Sequence, residues 1–383
     1  MSMRLSRSIV GKEEARAVEK VICEDGYLGM GAATRKFESG IAEYLGVEPW
    51  QTVAVNSGTA ALHLACQCVR ENPLKTLPSA AIPEIIAPSL TFVASFQAIS
   101  AASCQPVACD VLPETGTLDL KSAERKLTEN TVALMHVDYA SNPWQIDRVY
   151  EFAARHELRM IDDAAHAFGC RHHGKKIGSF GDIVCFSFDG IKNITCGEGG
   201  MLVCFDRESA RLAQDARLLG VKGDTEKRYA GSRSWDFDVD SQGWRYHMSN
   251  IMAAIGSVQL GRLENEFIPK RQALYEIYRE NLGGLPNLRL FKTDPDDFIV
   301  PHIMPVRILN NLRDKALEAL AAHDIPTGMH YKPNHLLTKF GDGGSLPNAE
   351  QLYRELVTLP LHPGLTEADI STICAVLKTS LAC

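Results

Sequence analysis

From residue 50 onward, short runs that are apolar throughout alternate with segments of helical period. "TVAVN" (52–56) precedes "GTAALHLACQCV", "AAIPEIIAP" (80–88) precedes "TFVASFQAISAA", and "QPVACDV" follows. "TVALMHVDYA" (131–140) leads into "DRVYEFAARHE", then "LRMIDDA" (158–164), "IVCFSF" (183–188) and "GGMLVCF" (199–205). Strands without a polar face, separated by helices, predict an α/β fold with a mostly parallel sheet covered on both sides. Upstream, residues 11–45 predict a helix, the glycine-rich loop "DGYLGMGAA" and a second helix, with Gly46 placed to end it. Downstream come "MSNIMAAIGSVQLGRL", the long helix "FIPKRQALYEIYRENLGGL", the strand "HIMPVRI" and the helices "NNLRDKALEALAAHDI" and "TEADISTICAVLK". This pattern predicts a large unit over residues 1–255 and a smaller C-terminal α+β unit over 256–383.

The chain has 383 residues, ample for a buried site, and a net charge of -7 that gives no general attraction to nucleic acid. The N-terminal stretch turns charged before a signal-peptide core forms, and no run reaches the roughly 18 apolar residues of a membrane span. A cytoplasmic protein is expected. The eleven cysteines are scattered and never spaced as CxxC. They read as reduced thiols filling the core, and no metal centre is expected.

Ligands of such sheets collect at the carboxyl ends of the strands, and three polar segments fall there. In "NSGTAALHL", Ser57, Gly58 and Thr59 bring small side chains and free N–H groups to a helix start. This suits a phosphate, and it also suits an ordinary helix cap. In "MIDDAAHAFG", adjacent aspartates point to opposite sides of a strand, so one of Asp162 and Asp163 reaches a site while the other caps or pairs. His166 follows. In "SFDGIKNITCGEGG", Lys192 stands among Phe186, Phe188, Ile191 and Ile194, either snorkelling to solvent or placed for chemistry. A lysine that deprotonates in an apolar pocket, an aspartate for a protonated ring nitrogen, a helix start for phosphate and an aromatic such as Phe92 together suit pyridoxal phosphate (PLP).

Over nearly its whole length the chain resembles the DegT/StrS-type sugar aminotransferases. The likeness runs through "GYLGMGAATRKFESGIAEYLG", "NSGTAALHLA", "PSLTFVAS", "IDDAAHAFGC", "KKIGSFGDIVCFSFDGIKNITCGEGGMLV" and "YHMSNIMAAIGSVQL". The resemblance implies a fold-type I PLP enzyme. Lys192 would hold PLP as a Schiff base, Asp163 would pair with the pyridinium nitrogen, and His166 would lie near the ring's 3-hydroxyl. Phe92 would stack on the ring, with Gly58, Thr59 and Ser187 on the phosphate. It also implies a homodimer with shared sites, in which Arg245 of "GWRYHMSN" stands where relatives lend an asparagine to the neighbour's phosphate. Glutamate is the implied amino donor and a nucleotide-linked keto sugar of glycan or lipopolysaccharide biosynthesis the acceptor. The "GEGG" form leans towards amination at C-4. Gly29 of "LGMG" and His330 and Tyr331 of "GMHYKPNHLL" are the substrate-side candidates. Rival readings are a free sugar, cyclitol or sugar acid as substrate, or a PLP-binding regulator without turnover. Asp189 stands where many relatives carry an aromatic residue or histidine, and the sequence offers no role for it.

Overall fold

The architecture comes from a computed structural model, which describes residues 3–77, 80–233, 235–341 and 344–382. The strands, in chain order, are β1 (Thr52–Val55), β2 (Glu84–Pro88), β3 (Gln105–Cys109), β4 (Thr131–Val137) and β5 (Arg159–Asp163). A short hairpin of β6 (Arg171–His172) and β7 (Lys175–Lys176) follows, then β8 (Ile183–Ser187) and β9 (Gly200–Cys204). All but the hairpin form one seven-stranded sheet in the order β1-β9-β8-β5-β4-β2-β3. From β3 across to β8 every pairing is parallel, and only β9 runs against its neighbours β8 and β1. The predicted α/β class with a mainly parallel sheet is therefore what the chain adopts.

Both faces of the sheet are covered, which explains why the strands lack a polar side. Along β4, Ala133 and Met135 join a core with Leu64 and Phe96 of the helices Gly58–Glu71 and Val93–Ala101. Leu134 points the other way, to Phe152 of the helix Ile146–Arg155. A third core around Phe37, Phe168, Phe186 and Phe188 packs under the helix Ala32–Leu45, which ends on Gly46 in the left-handed region (φ 76°). The loop before this helix is docked: the Asn250 N–H donates to the carbonyls of Leu28 and Gly29, each at 3.1 Å, and its side-chain amide to Tyr27 O at 2.9 Å.

The C-terminal residues build their own core on a three-stranded antiparallel sheet of β10 (Leu288–Leu290), β11 (Met304–Ile308) and β12 (Leu356–Leu359). This core gathers Leu274, Tyr278, Val306, Leu320 and Leu377, and Met3 packs against it. The expected division at 255/256 falls inside the helix Asn250–Arg262, whose Gly256 lies so close to Phe37 and Cys196 that a Cβ would stand 2.5 Å from the Cys196 sulfur. Among the described residues all cysteines are free thiols, buried except Cys23. None of the described helices is long and apolar enough to cross a membrane.

Candidate active site

The site begins where β1 turns into the helix Gly58–Glu71. The Ser57 hydroxyl accepts from the Ala60 N–H at 3.1 Å and caps the helix, while the first N–H groups of a helix have no partner within it. The carboxyl end of β8 comes against this turn. A Cβ on Gly58 would stand 2.7 Å from the Ser187 Cβ, and one on Gly200 would stand 2.3 Å from the Ser57 carbonyl. Both positions admit only glycine without movement, and that close approach sets the Ser187 hydroxyl beside the helix start.

Next to β8 in the sheet, β5 ends in the two aspartates. Asp163 faces the cavity, where its carboxylate accepts from the Ser95 hydroxyl at 2.9 Å and the Ala165 N–H at 3.3 Å. Burial pushes its pKa up, and Ser95, Ala165 and the charge of Lys192 pull against that. Asp162 points to the far side, as strand alternation requires. It neither caps a helix nor pairs with a lysine or arginine among the described residues, and instead faces His136 and Asp138. That corrects its expected capping or pairing role.

His166 is buried, with Nε2 3.1 Å from the Tyr331 hydroxyl and Nδ1 without a protein partner among the described residues. Desolvation, reinforced by Lys192, holds its pKa well below the usual imidazole value, so it is neutral. The Ser141 hydroxyl donates to the His166 carbonyl at 2.5 Å and accepts from the His302 N–H at 2.9 Å, tying the two histidines together. Their rings lie 4.6 Å apart.

Lys192 is half-buried, its open side facing the cavity. Its Nζ lies 3.4 Å from Nε2 of His302, whose pKa burial and the Lys192 charge hold well below normal. In the core nearby in sequence, Phe188 packs edge-on against Phe37 and Phe168 at 5.4 and 5.2 Å. Desolvation lowers the Lys192 pKa from 10.5 to about 8, with Asp163 and Asp189 only partly offsetting it. The lysine does not snorkel free. It stands in the cavity with an amine that deprotonates far more readily than a solvated lysine's.

These groups line one cavity of about 390 Å³, within the range of small-molecule sites. Gly58, Thr59, Asp163, His166, Ser187 and Lys192 all reach it, joined by Phe92, His330 and Tyr331. Phe92 is 55 % exposed, so it is no core residue, and its ring centroid lies 5.5 Å from that of Tyr331. The His330 Nδ1 sits 2.9 Å from the Thr358 hydroxyl, and burial lowers its pKa to about 4. Gly29 and Arg245 lie outside this cavity. Gly29 is held by Asn250, and Arg245 is exposed, its carbonyl 3.4 Å from the Asn56 amide nitrogen. Sequence reasoning missed His302 and Ser95. His302 precedes a strand and Ser95 sits in a helix, and neither has a spacing that signals a site. Asp189 and Glu198 also line the cavity, and burial and the charge of Asp189 raise the Glu198 pKa.

The donor set suits PLP. It offers a depressed amine, a carboxylate with two donors, an imidazole nitrogen left without a partner, a cavity-facing aromatic and a helix start where a side chain on Gly58 would intrude. Comparison with known proteins points the same way. The DegT/DnrJ/EryC1/StrS aminotransferase family matches residues 8–378. A dTDP-4-dehydro-2,3,6-trideoxy-D-glucose 4-aminotransferase from Saccharopolyspora spinosa is 33% identical over 374 residues, 97% of this chain and 94% of that protein. Among solved structures, the aminotransferase TlmJ from Streptoalloteichus hindustanus superposes with a TM-score of 0.89 at 30% identity, covering 100% of this chain and 99% of its own. Spr1654 from Streptococcus pneumoniae, solved in its PLP form, superposes with a TM-score of 0.87 at 25% identity, covering 100% and 99%.

Proposed function

We infer the reaction from kinship and site together: the chain belongs to the DegT/DnrJ/EryC1/StrS aminotransferase family, and we propose that it moves an amino group from glutamate to the C-4 keto group of a nucleotide-linked deoxysugar. The observation that carries this reading is the meeting of Lys192, Asp163, His166 and the helix start at Gly58 and Thr59 in one cavity. The name of the Saccharopolyspora relative, a dTDP-sugar 4-aminotransferase, and the "GEGG" loop support the C-4 assignment. The proposal includes a role in surface-glycan or lipopolysaccharide sugar biosynthesis and a cytoplasmic location. It also includes a homodimer in which Arg245 of one copy completes the phosphate site of the other. The exposed Trp235 and Phe237 upstream of Arg245 support a covered surface there.

When bound, PLP supplies an electron sink for the carbanion formed next to nitrogen. Lys192 Nζ would anchor the cofactor and would be the base that takes the proton from the α-carbon of glutamate and the acid that returns one to the sugar carbon. Its lowered pKa keeps a useful fraction as free amine, and the neutral His302 accepts a hydrogen bond from the charged form. The Asp163 carboxylate, oriented by Ser95, keeps a proton on the ring nitrogen. His166, whose ring lines the cavity, would serve the ring hydroxyl. The N–H groups at Gly58 and Thr59, with Ser187, would hold the phosphate, and Phe92 would supply an apolar face for the ring. His330 and Tyr331, which line the cavity, would meet the substrate, and Gly29 would meet the part of it that extends beyond the cavity.

Protein reconstituted with PLP is expected to gain a cofactor absorbance that glutamate bleaches and a dTDP-linked 4-keto-6-deoxysugar restores. Lys192→Ala should lose at least about 10³-fold in turnover. Asp163→Asn should keep the cofactor and lose roughly two orders of magnitude. No absorbance after reconstitution, no bleaching by glutamate, or an active Lys192→Ala protein overturns the reading. Restoration only by a keto sugar without a nucleotide would move the substrate to free sugars, cyclitols or sugar acids.

A further inference from the structure

Behind the catalytic face, on the opposite side of β4 and β5, lies a second cluster of chemistry-bearing groups. His136 and Asp162 are paired in the parallel register of the two strands, and Asp138 follows His136 by two residues, so all three side chains share one side. None is more than 1% exposed. Their ligand atoms lie within 4.8 Å of one another, with His136 Nε2 3.4 Å from Asp138 Oδ1. Among the described residues both imidazole nitrogens, both Asp138 oxygens and Asp162 Oδ1 lack a hydrogen-bond partner. So does the buried hydroxyl of Tyr150, which lies within electrostatic reach of Asp162 and Asp138. Buried polar atoms are nearly always satisfied, and uncompensated carboxylates in the interior are costly. The mechanism uses none of these groups, and no lysine or arginine among the described residues pairs with them.

We propose that His136, Asp138 and Asp162 bind one zinc ion, a structural brace for the strand ends that carry Asp163. Two carboxylates and one imidazole supply a formal charge that a divalent cation cancels. Bonds of roughly 2.1 Å to a tetrahedral zinc place neighbouring ligand atoms roughly 3.4 Å apart, which is the spacing between His136 and Asp138. A mixed nitrogen and oxygen set suits a first-row transition ion better than magnesium or calcium. The Asp138 N–H donates to the Asp163 carbonyl at 3.2 Å, so an ion fixing Asp138 and Asp162 fixes the backbone that aims Asp163 into the cavity. The ligands come from β5, the end of β4 and the residue just beyond it, which is why no spacing motif announces them.

The test is metal analysis of the full-length holoenzyme, produced with and without added zinc and exhaustively desalted. About one zinc per chain is expected, with a higher Tm in the zinc-replete protein. Asp138→Asn and Asp162→Asn should each lower bound zinc at least about tenfold. Asp147→Asn, in the partly exposed cluster with His172 and His173, should leave it unchanged. Should the aspartate variants fail to fold, X-ray absorption at the zinc edge of the wild type decides: nitrogen and oxygen neighbours at roughly 2.0–2.2 Å support the site. Zinc-free protein with unchanged Tm, sulfur neighbours, or zinc lost only in Asp147→Asn overturns it. So does a metal-free Asp138→Asn as stable as the wild type, which would mean protons or a buried water satisfy the cluster.

Discussion

Arg217 and Lys192 are both basic side chains carried towards the interior, and their surroundings differ in kind. Arg217 is fully buried and donates to Glu38 Oε1 at 2.6 Å, the Ala54 carbonyl at 2.7 Å, the Tyr229 hydroxyl at 3.0 Å and Thr225 Oγ1 at 3.4 Å. Glu38 also accepts from the Ala54 N–H at 2.8 Å and from the Tyr229 hydroxyl. Burial works against the guanidinium charge, but Glu38 outweighs it and the pKa stays above its usual value. Among the described residues the Lys192 amine has one polar contact, a neutral imidazole at 3.4 Å, and its pKa falls to about 8. The first network locks the helix Ala32–Leu45 to β1 through both terminal nitrogens of the guanidinium, and among the described residues only its Nε–H lacks a partner. The second leaves a base unsatisfied and facing a cavity. Completeness of pairing thus separates scaffold from chemistry in this molecule.

The contrast can be broken most forcefully at Arg217. Arg217→Met strands Glu38 in the interior and should cost ~3–5 kcal/mol of unfolding free energy, measured by urea denaturation. A loss below ~1 kcal/mol would place the pair with surface ion pairs and remove the distinction. At Lys192 the sign reverses. Lysine titrates near 10.5 when unfolded and near 8 in the folded chain without cofactor. Between those values the unfolded state binds the proton and the native state does not, so wild-type stability rises with pH there. Below pH 8 the full penalty applies, on the order of 3 kcal/mol in a closed site and on the order of 2 once solvent in the cavity is allowed for. Cofactor-free Lys192→Met should therefore be more stable than the wild type by ~2 kcal/mol at about pH 7, with the gain shrinking towards about pH 10. An equal or lower stability at neutral pH would mean the amine is already well solvated.

Much of this was legible in the chain because its physics is local. Apolar runs bounded by helices specify a covered parallel sheet, and polar residues at strand ends such as Ser57, Asp163 and Lys192 fall at its carboxyl edge whatever the details. Alternation along β5 also separates Asp163 from Asp162. What stayed hidden depends on distant contacts. His302 reaches Lys192 from 110 residues away, Ser95 orients Asp163 across 68, and neither carries a local signature. The role assigned to Asp162 failed for the same reason, since its neighbours His136 and Asp138 come from another strand. Packing also sets the helix Asn250–Arg262, where Gly256 permits a close approach to Phe37 that no periodicity in the sequence expresses.

The smallest expected effect tests whether the helix start belongs to the scaffold or to the chemistry. Alanine is a better helix former than glycine by up to ~1 kcal/mol, so Gly58→Ala would help a helix whose only task is support. Its Cβ, however, would stand 2.7 Å from the Ser187 Cβ and 2.9 Å from its hydroxyl oxygen. Ser187 must then rotate or shift by a few tenths of an ångström, and its hydroxyl leaves the place from which it is proposed to hold the phosphate. The two effects nearly cancel in the fold, so thermal unfolding of the cofactor-free protein should change little. Cofactor binding has no such compensation, and PLP titration should show roughly tenfold weaker affinity, ~1.4 kcal/mol. A variant that lost stability while binding PLP normally would assign Gly58 to the scaffold alongside Arg217, and the boundary between the two regions would have to be redrawn there.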